Sequence, residues 1–428
     1  MSFRGKLTSR LGRNVLALSV LQIMNYAVPL VTVPYLTRVL GPERFGLMAF
    51  AQAVIVYFDL ITDYGFNLSA TRKIASALGD RTEVSRIFWS TLVTKVCLMV
   101  ACALVLGLAL ETIPALRHEA LLYSASFLTV VGTAFFPVWF FQGTEQLKFV
   151  TMGQSTARLL SLPVMFLCVK QSGDYALAAL IQGSVPVLAA LIVAPAIWKQ
   201  IRMYSSWPSM RDIHSCLRDG WHLFVSNTAM YLFSSTTVVL LGLVAGNAQV
   251  GYYSAADKLI RAGNALMNPI TQALYPHLNS LRVTSEQATL RLIRKSLTLV
   301  GCTTLVASIG TFLLAGPISH LLLGNRFGPS VAVLQCMCPL LFLLGVSNIL
   351  GTQTMLVFGL DSLVSRIILL SAIVSGVSTV LLASRWGAPG AAVATTGSAL
   401  LMMLLMIAAL RRARLAVWRE VREAAAVG

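Results

Sequence analysis

PYLTRVLGPERFGLMAFAQAVIVYFDLITDYGFNLSATRKI, residues 34 to 74, sets two carboxylates, Asp59 and Asp63, inside a run otherwise apolar enough to face lipid. An ionised side chain deep in a bilayer costs roughly 2.5–3.5 kcal/mol on the mildest insertion scale, so acids there usually face a polar cavity on a translocation path. The stretch reads as a helix of a protein that moves something across a membrane.

Composition agrees. With 57% hydrophobic and 11% charged residues over 428 positions, the chain lacks the polar surface a soluble domain of this length needs. Apolar runs of about 20 residues, each long enough to span a hydrocarbon core of roughly 30 Å, recur about twelve times. They fall at 14–36, 45–66, 87–110, 118–140, 149–170, 174–197, 221–244, 251–277, 295–316, 331–357, 363–384 and 389–410. The expected fold is an all-α integral membrane protein with about 12 transmembrane helices in two pseudo-symmetric six-helix lobes. Residues 1–197 form the N-terminal lobe, 198–220 a basic cytoplasmic linker, 221–410 the C-terminal lobe and 411–428 a basic cytoplasmic tail. No loop is long enough for a catalytic domain, so the expectation is a transporter and not an enzyme, without cofactor or metal.

The leading MSFRGKLTSRLGRN is basic, but the apolar run after it is too long for a signal peptide and carries no A-x-A site, so it reads as a retained first helix. The formal charge of +17 is a topology signal. With a cytoplasmic N-terminus, cytoplasmic segments hold about 22 Lys and Arg against about 6 outside, the positive-inside asymmetry. Arg72, Lys73, Arg86, Arg211 and Arg218 then anchor to anionic headgroups, and nucleic acid is not an expected partner. The seven cysteines show neither metal-ligand nor disulfide spacing.

An internal repeat organises the rest. A shift of about 205 residues lays the first two spans on the seventh and eighth, matching Gly41 with Gly246, Gly46 with Gly251 and Tyr26 with Tyr231. In the second span Gln52, Asp59, Asp63 and Asn67 share one helix face at about 100° per residue. The shift carries them onto Asp257, Asn264, Asn268 and Gln272, while Gln22 and Tyr26 match Asn227 and Tyr231. Each half holds an even number of spans, so the halves share one orientation and are expected to line a central cavity.

Charge separates the two stripes. Asp59, Asp63 and Asp257 are candidates for binding a proton or sodium ion, and Arg158, Arg261 and Lys258 for holding an anionic head group. Two readings stand for Asp63, an ion site or an interfacial cap paired with Arg72, and two for Arg261, a ligand contact or an internal pair with Asp257. Lys95 and Arg366 are expected to snorkel to the headgroups.

GPERFGLMAFAQ (41–52), YF (57–58) and DYGFNLSATRKIA (63–75) together resemble the N-terminal signature of the Wzx-type oligosaccharide flippases, in the polysaccharide biosynthesis protein family of the MOP exporter superfamily. The close match spans about residues 25 to 90. The resemblance implies a MOP/MATE-like fold in the bacterial inner membrane, with both termini cytoplasmic and alternating access. It also implies undecaprenyl-pyrophosphate-linked oligosaccharide repeat units as substrate, with membrane lipids, a polysaccharide polymerase and a chain-length regulator as partners. Asp63, Asn67 and Arg72 lie on characteristic family positions; Asp59, Arg158 and Arg261 rest on physical grounds alone. The alternatives are a cation-coupled multidrug exporter of the same superfamily and, from another class, a membrane glycosyltransferase or ligase.

Overall fold

Glycine decides where the first long apolar run turns. The computed structural model describes residues 3–201, 208–413 and 415, with the side chains of 3–26, 222, 226–227, 229–234, 268–270, 272–273 and 276 outside that description. Helix α1 (Phe3–Asp63) carries the first two expected spans through Pro29 and Pro34, and its non-helical residue is Gly41, at φ 73° and ψ 174°. At the equivalent place in the repeat, Gly246 adopts φ 84° between α9 (Met210–Ala245) and α10 (Asn247–Ala265). A positive φ is costly for any residue with a Cβ. The sequence repeat thus reappears as a repeated backbone turn.

Among the described residues every regular element is helical. Seven stretches are long and apolar enough to cross a membrane: Ala27–Ser76, Arg81–Thr112, Ala120–Gly143, Ser172–Ile201, Glu286–Leu313, Ser330–Met355 and Asp361–Arg412. The first and last each hold two of the expected spans, the last broken at Gly387 (φ 59°). Helix α7 (Leu147–Cys168), which carries Arg158, and α10, which carries Asp257, Lys258 and Arg261, are not among the seven. Their polar content separates them from a plain lipid-spanning helix.

Contacts divide the chain into two compact units, Met1–Tyr231 and Leu232–Gly428, so the division falls within α9. In the first, α5 (Ala120–Phe135) packs on α8 (Tyr175–Ile201), and α1 packs on both α5 and α7. Helices α5 and α8 touch through glycine: a Cβ on Gly132 would meet Val187 N at 2.4 Å, and one on Gly183 would meet Ala125 O at 2.5 Å. Small residues at such contacts let helix backbones approach in the absence of a hydrophobic driving force. Under α2 (Phe66–Ser76), the buried rings of Phe88, Trp139, Phe140 and Phe141 close the core. Helix α3 (Arg81–Thr112) begins at Asp80, whose carboxylate accepts from Thr82 N at 2.9 Å and Glu83 N at 3.2 Å. Asp80→Ala is expected to cost about 1 kcal/mol, read as a lower melting temperature in detergent, with Asp80→Asn close to wild type.

The start of α9 belongs to the first unit. Lys73 Nζ lies 2.5 Å from Asp219, Arg86 pairs with Glu83 at 3.2 Å and lies 4.0 Å from Asp212, and Cys216 Sγ is 3.6 Å from Ser90 Oγ. Lys73 and Arg86, expected to face headgroups, are thus engaged by acids. These pairs are exposed and add little stability.

In the second unit, α12 (Glu286–Leu313) packs on α15 (Pro339–Leu350), and α10 on α14 (Ser330–Met337); α14 and α15 pack on α16 (Asp361–Arg412). The break in α16 frees a backbone donor, and Gln249 Oε1 accepts from Ala388 N at 2.8 Å. A buried donor is thereby satisfied.

Candidate functional site

Tyr64 and Gly65, with φ of 45° and 78°, end α1 at Asp63 and start α2 at Phe66. The carboxylate of Asp63 therefore sits at a helix break, where Asn67 Nδ2 of α2 donates to its two oxygens at 2.9 and 3.0 Å. From α3, Lys95 Nζ reaches Asp63 Oδ1 at 3.1 Å and the carbonyl oxygen of Thr133, on α5, also at 3.1 Å. The Thr133 hydroxyl donates in turn to Asp59. Thr133 thus links Asp59 to the lysine, which meets Asp63 directly.

Lys95 does not snorkel: its side chain is 2% exposed. The reason lies in the faces of α3. At about 100° per residue, Lys95 points directly away from Leu104, which is 70% exposed and lies beside the exposed Val105 and Leu108 on the face fit for lipid. The lysine's own side of the helix carries Phe88 and Thr91, both buried. A cation on the inner face cannot reach headgroups along an outer one, so it pairs with Asp63. That pairing also replaces the expected partnership of Asp63 with Arg72.

These groups line a cavity of about 270 Å³ within the first unit, together with Gln154 and Arg158 of α7, Phe136, and Val185, Pro186 and Ala189 of α8. Its charged groups are two acids, Asp59 and Asp63, and two bases, Lys95 and Arg158. Asp59, Asp63 and Asn67 stay together as their spacing suggested, and Arg158, which the sequence grouped with Arg261 and Lys258, joins them. Gln52 instead donates to Gln182 Oε1 at 2.7 Å. Thr133, Gln154 and the buried Lys95 are the members that sequence reasoning missed. The signal for Lys95 was present in the helically spaced Thr91, Thr94 and Lys95.

The second unit carries a different arrangement. Arg261 Nε donates to Asp257 Oδ2 at 2.6 Å one turn away, with the arginine side chain 49% exposed and the aspartate 15%. The internal pair weighed for these two residues is therefore formed. Lys258 is half-buried, and Asn264 Nδ2 is buried without a hydrogen-bond partner. The side chains of Gln22, Tyr26, Asn227, Tyr231, Asn268 and Gln272 lie outside those described.

Long apolar helices around a charged cavity define a multi-span membrane protein of transporter type. Solved structures with the same fold include an inward-facing MATE-family multidrug resistance transporter of the MOP superfamily, with TM-score 0.73 and 14% identity over 94% of this chain and 98% of that one. The lipid II flippase MurJ in an inward closed conformation has TM-score 0.69 and 11% identity, covering 92% and 87%. The MOP-type fold expected from the sequence is therefore present. The family model for polysaccharide biosynthesis proteins matches residues 11 to 282. A putative O-antigen transporter of Escherichia coli strain K12 is 33% identical over 410 residues, covering 95% of this chain and 98% of that protein. Another from Shigella dysenteriae is 29% identical, covering 93% and 100%. The chain belongs to the polysaccharide biosynthesis protein family.

Proposed function

We propose that this protein is a flippase that translocates undecaprenyl-pyrophosphate-linked oligosaccharide repeat units across the bacterial inner membrane for surface polysaccharide synthesis. The observation that carries the reading is a pair of cations, the buried Lys95 and the half-buried Arg158, in one cavity between apolar helices of a chain in this family. An anionic lipid head group needs buried positive charge to leave the headgroup layer, whereas a multidrug exporter for cations favours an acid-lined site free of bases. Catalysis is not part of this function. The cycle is alternating access, with both termini cytoplasmic and proton or sodium coupling at Asp59, with Asp63 and Asp257 as further acids. In the first unit Arg158 meets the pyrophosphate; in the second, Lys258 and Arg261 are the cations for it. The polymerase and its chain-length regulator act on the product at the periplasmic face.

Deletion of the gene is expected to leave lipid-linked repeat units on the cytoplasmic face while surface polysaccharide disappears, with recovery from a plasmid copy. The doubly neutralised Arg158→Gln/Arg261→Gln protein should reach the membrane in normal amount and fail to restore polymer. Full restoration would remove these two residues from the pyrophosphate site, and a deletion strain without accumulated repeat units would overturn the flippase reading itself.

A further inference from the structure

The cavity of the first unit is electrically balanced, and balance is a poor state for capturing an anion. With Asp59, Asp63, Lys95 and Arg158 all ionised, an entering diphosphate loses to the carboxylates much of what it gains from the cations. Lys95 is also already engaged, its ammonium shared between Asp63 and the Thr133 carbonyl at 3.1 Å each. The cavity volume of about 270 Å³ holds roughly nine waters at ~30 Å³ each. That is room for a hydrated diphosphate.

Resting on the flippase reading, we infer that Lys95 is an exchangeable counter-ion, held by Asp63 in the empty cavity and handed to the lipid diphosphate when the acid pair takes up a proton. The charged groups around Asp63 on the packed elements are Asp59 of α1, Lys95 of α3 and Arg158 of α7; α5 contributes the Thr133 hydroxyl and carbonyl, α2 the Asn67 amide, and α8 only Val185, Pro186 and Ala189. A proton added to this group removes a repelling carboxylate and releases an ammonium in one event. No bond other than the O–H forms, and the net charge rises by one. Proton and anion therefore bind together, and by reciprocity each increases the affinity for the other. A carrier whose proton and substrate compete for one site has the opposite sign.

The test is titration calorimetry on the purified full-length protein in sodium-free detergent buffer, with farnesyl diphosphate as probe, at about pH 6 and about pH 8 and in two buffers of different ionisation enthalpy. Wild-type protein is expected to bind about tenfold more tightly at the lower pH than the ligand's own titration accounts for, with net proton uptake. The Asp63→Asn/Lys95→Gln double variant preserves neutrality and supplies that ligand baseline. It should bind weakly at both values with no excess proton uptake. Lys95→Gln alone is also expected to bind weakly at both values, and the double variant keeps the test sound if the single one does not fold. Excess proton uptake in the double variant, or none in the wild type, would overturn the inference. Inorganic pyrophosphate should bind more weakly than the isoprenyl form; equal affinity would assign the cavity to a free anion and overturn the lipid assignment. Export in cells is scored separately. Wild-type export without linked binding leaves the flippase reading standing and removes this one; linked binding in a protein whose deletion spares polymer export does the reverse.

Discussion

Gly132→Leu is expected to leave almost no folded protein in the membrane. A Cβ at this position would lie 2.4 Å from Val187 N and 2.6 Å from both the carbonyl carbon and Cβ of Pro186. Those neighbours are helix backbone and a proline ring, so they cannot swing aside as the end of a long side chain would. Overpacking against yielding neighbours costs about 1–3 kcal/mol, and separation of two whole helices exceeds that. The damage reaches the cavity, because Thr133 follows Gly132 on α5 and Val185, Pro186 and Ala189 line it from α8. Gly107→Leu is the control: Gly107 lies within α3 with nothing inside 4 Å of a built Cβ, so its cost should stay within about 0.5 kcal/mol. Fluorescence-detected size exclusion and thermal melting of both variants make the comparison. Equal yield and melting temperature for the two would mean that α5 and α8 do not approach through this glycine.

The spans were legible because apolar runs of bilayer length leave few alternatives, and the repeat because Gly41 and Gly246 serve the same backbone conformation. Asp59, Asp63 and Asn67 were found through helical spacing, and Asp63 and Asn67 remain joined across the break at Tyr64 and Gly65. What the sequence hid was partnership between helices. Depth along α3 makes Lys95 look like a residue that reaches an interface; only the neighbouring α1 and α5 reveal that its inner face meets Asp63 and Thr133. Thr133 itself gave no signal, since an isolated hydroxyl in an apolar span is as easily bonded to its own helix, as its contact with Val130 O at 3.1 Å illustrates. Lys73 and Arg86 counted toward an expected charge asymmetry, while their individual contacts depend on where Asp219 and Asp212 of α9 arrive.

Lys95→Met should be among the most damaging single substitutions in the first unit, for a reason distinct from crowding. The methionine fits the space, but it leaves Asp63 ionised beside an apolar group, with its side chain 24% exposed and Asn67 as its remaining donor. Breaking a buried ion pair from one side costs about 3–5 kcal/mol. Partial exposure of Asp63 and its two bonds from Asn67 reduce this, so a loss of about 2–3 kcal/mol is expected. Replacement of both members, as Lys95→Met with Asp63→Asn, removes the stranded charge and should recover most of the lost stability, since the desolvation penalty of the pair disappears with its attraction. A double-mutant cycle on melting temperatures therefore predicts a coupling of at least about 2 kcal/mol between the two positions. Stability and transport then separate: the recovered double variant should be as abundant as wild type and still export no polymer, because the cation that the head group needs is gone. If it exported normally, Lys95 would be a structural counter-ion and nothing more. If instead the two substitutions were additive, the 3.1 Å contact between Lys95 and Asp63 would carry no weight in the fold, and the cavity's charge balance would have to be held by Arg158.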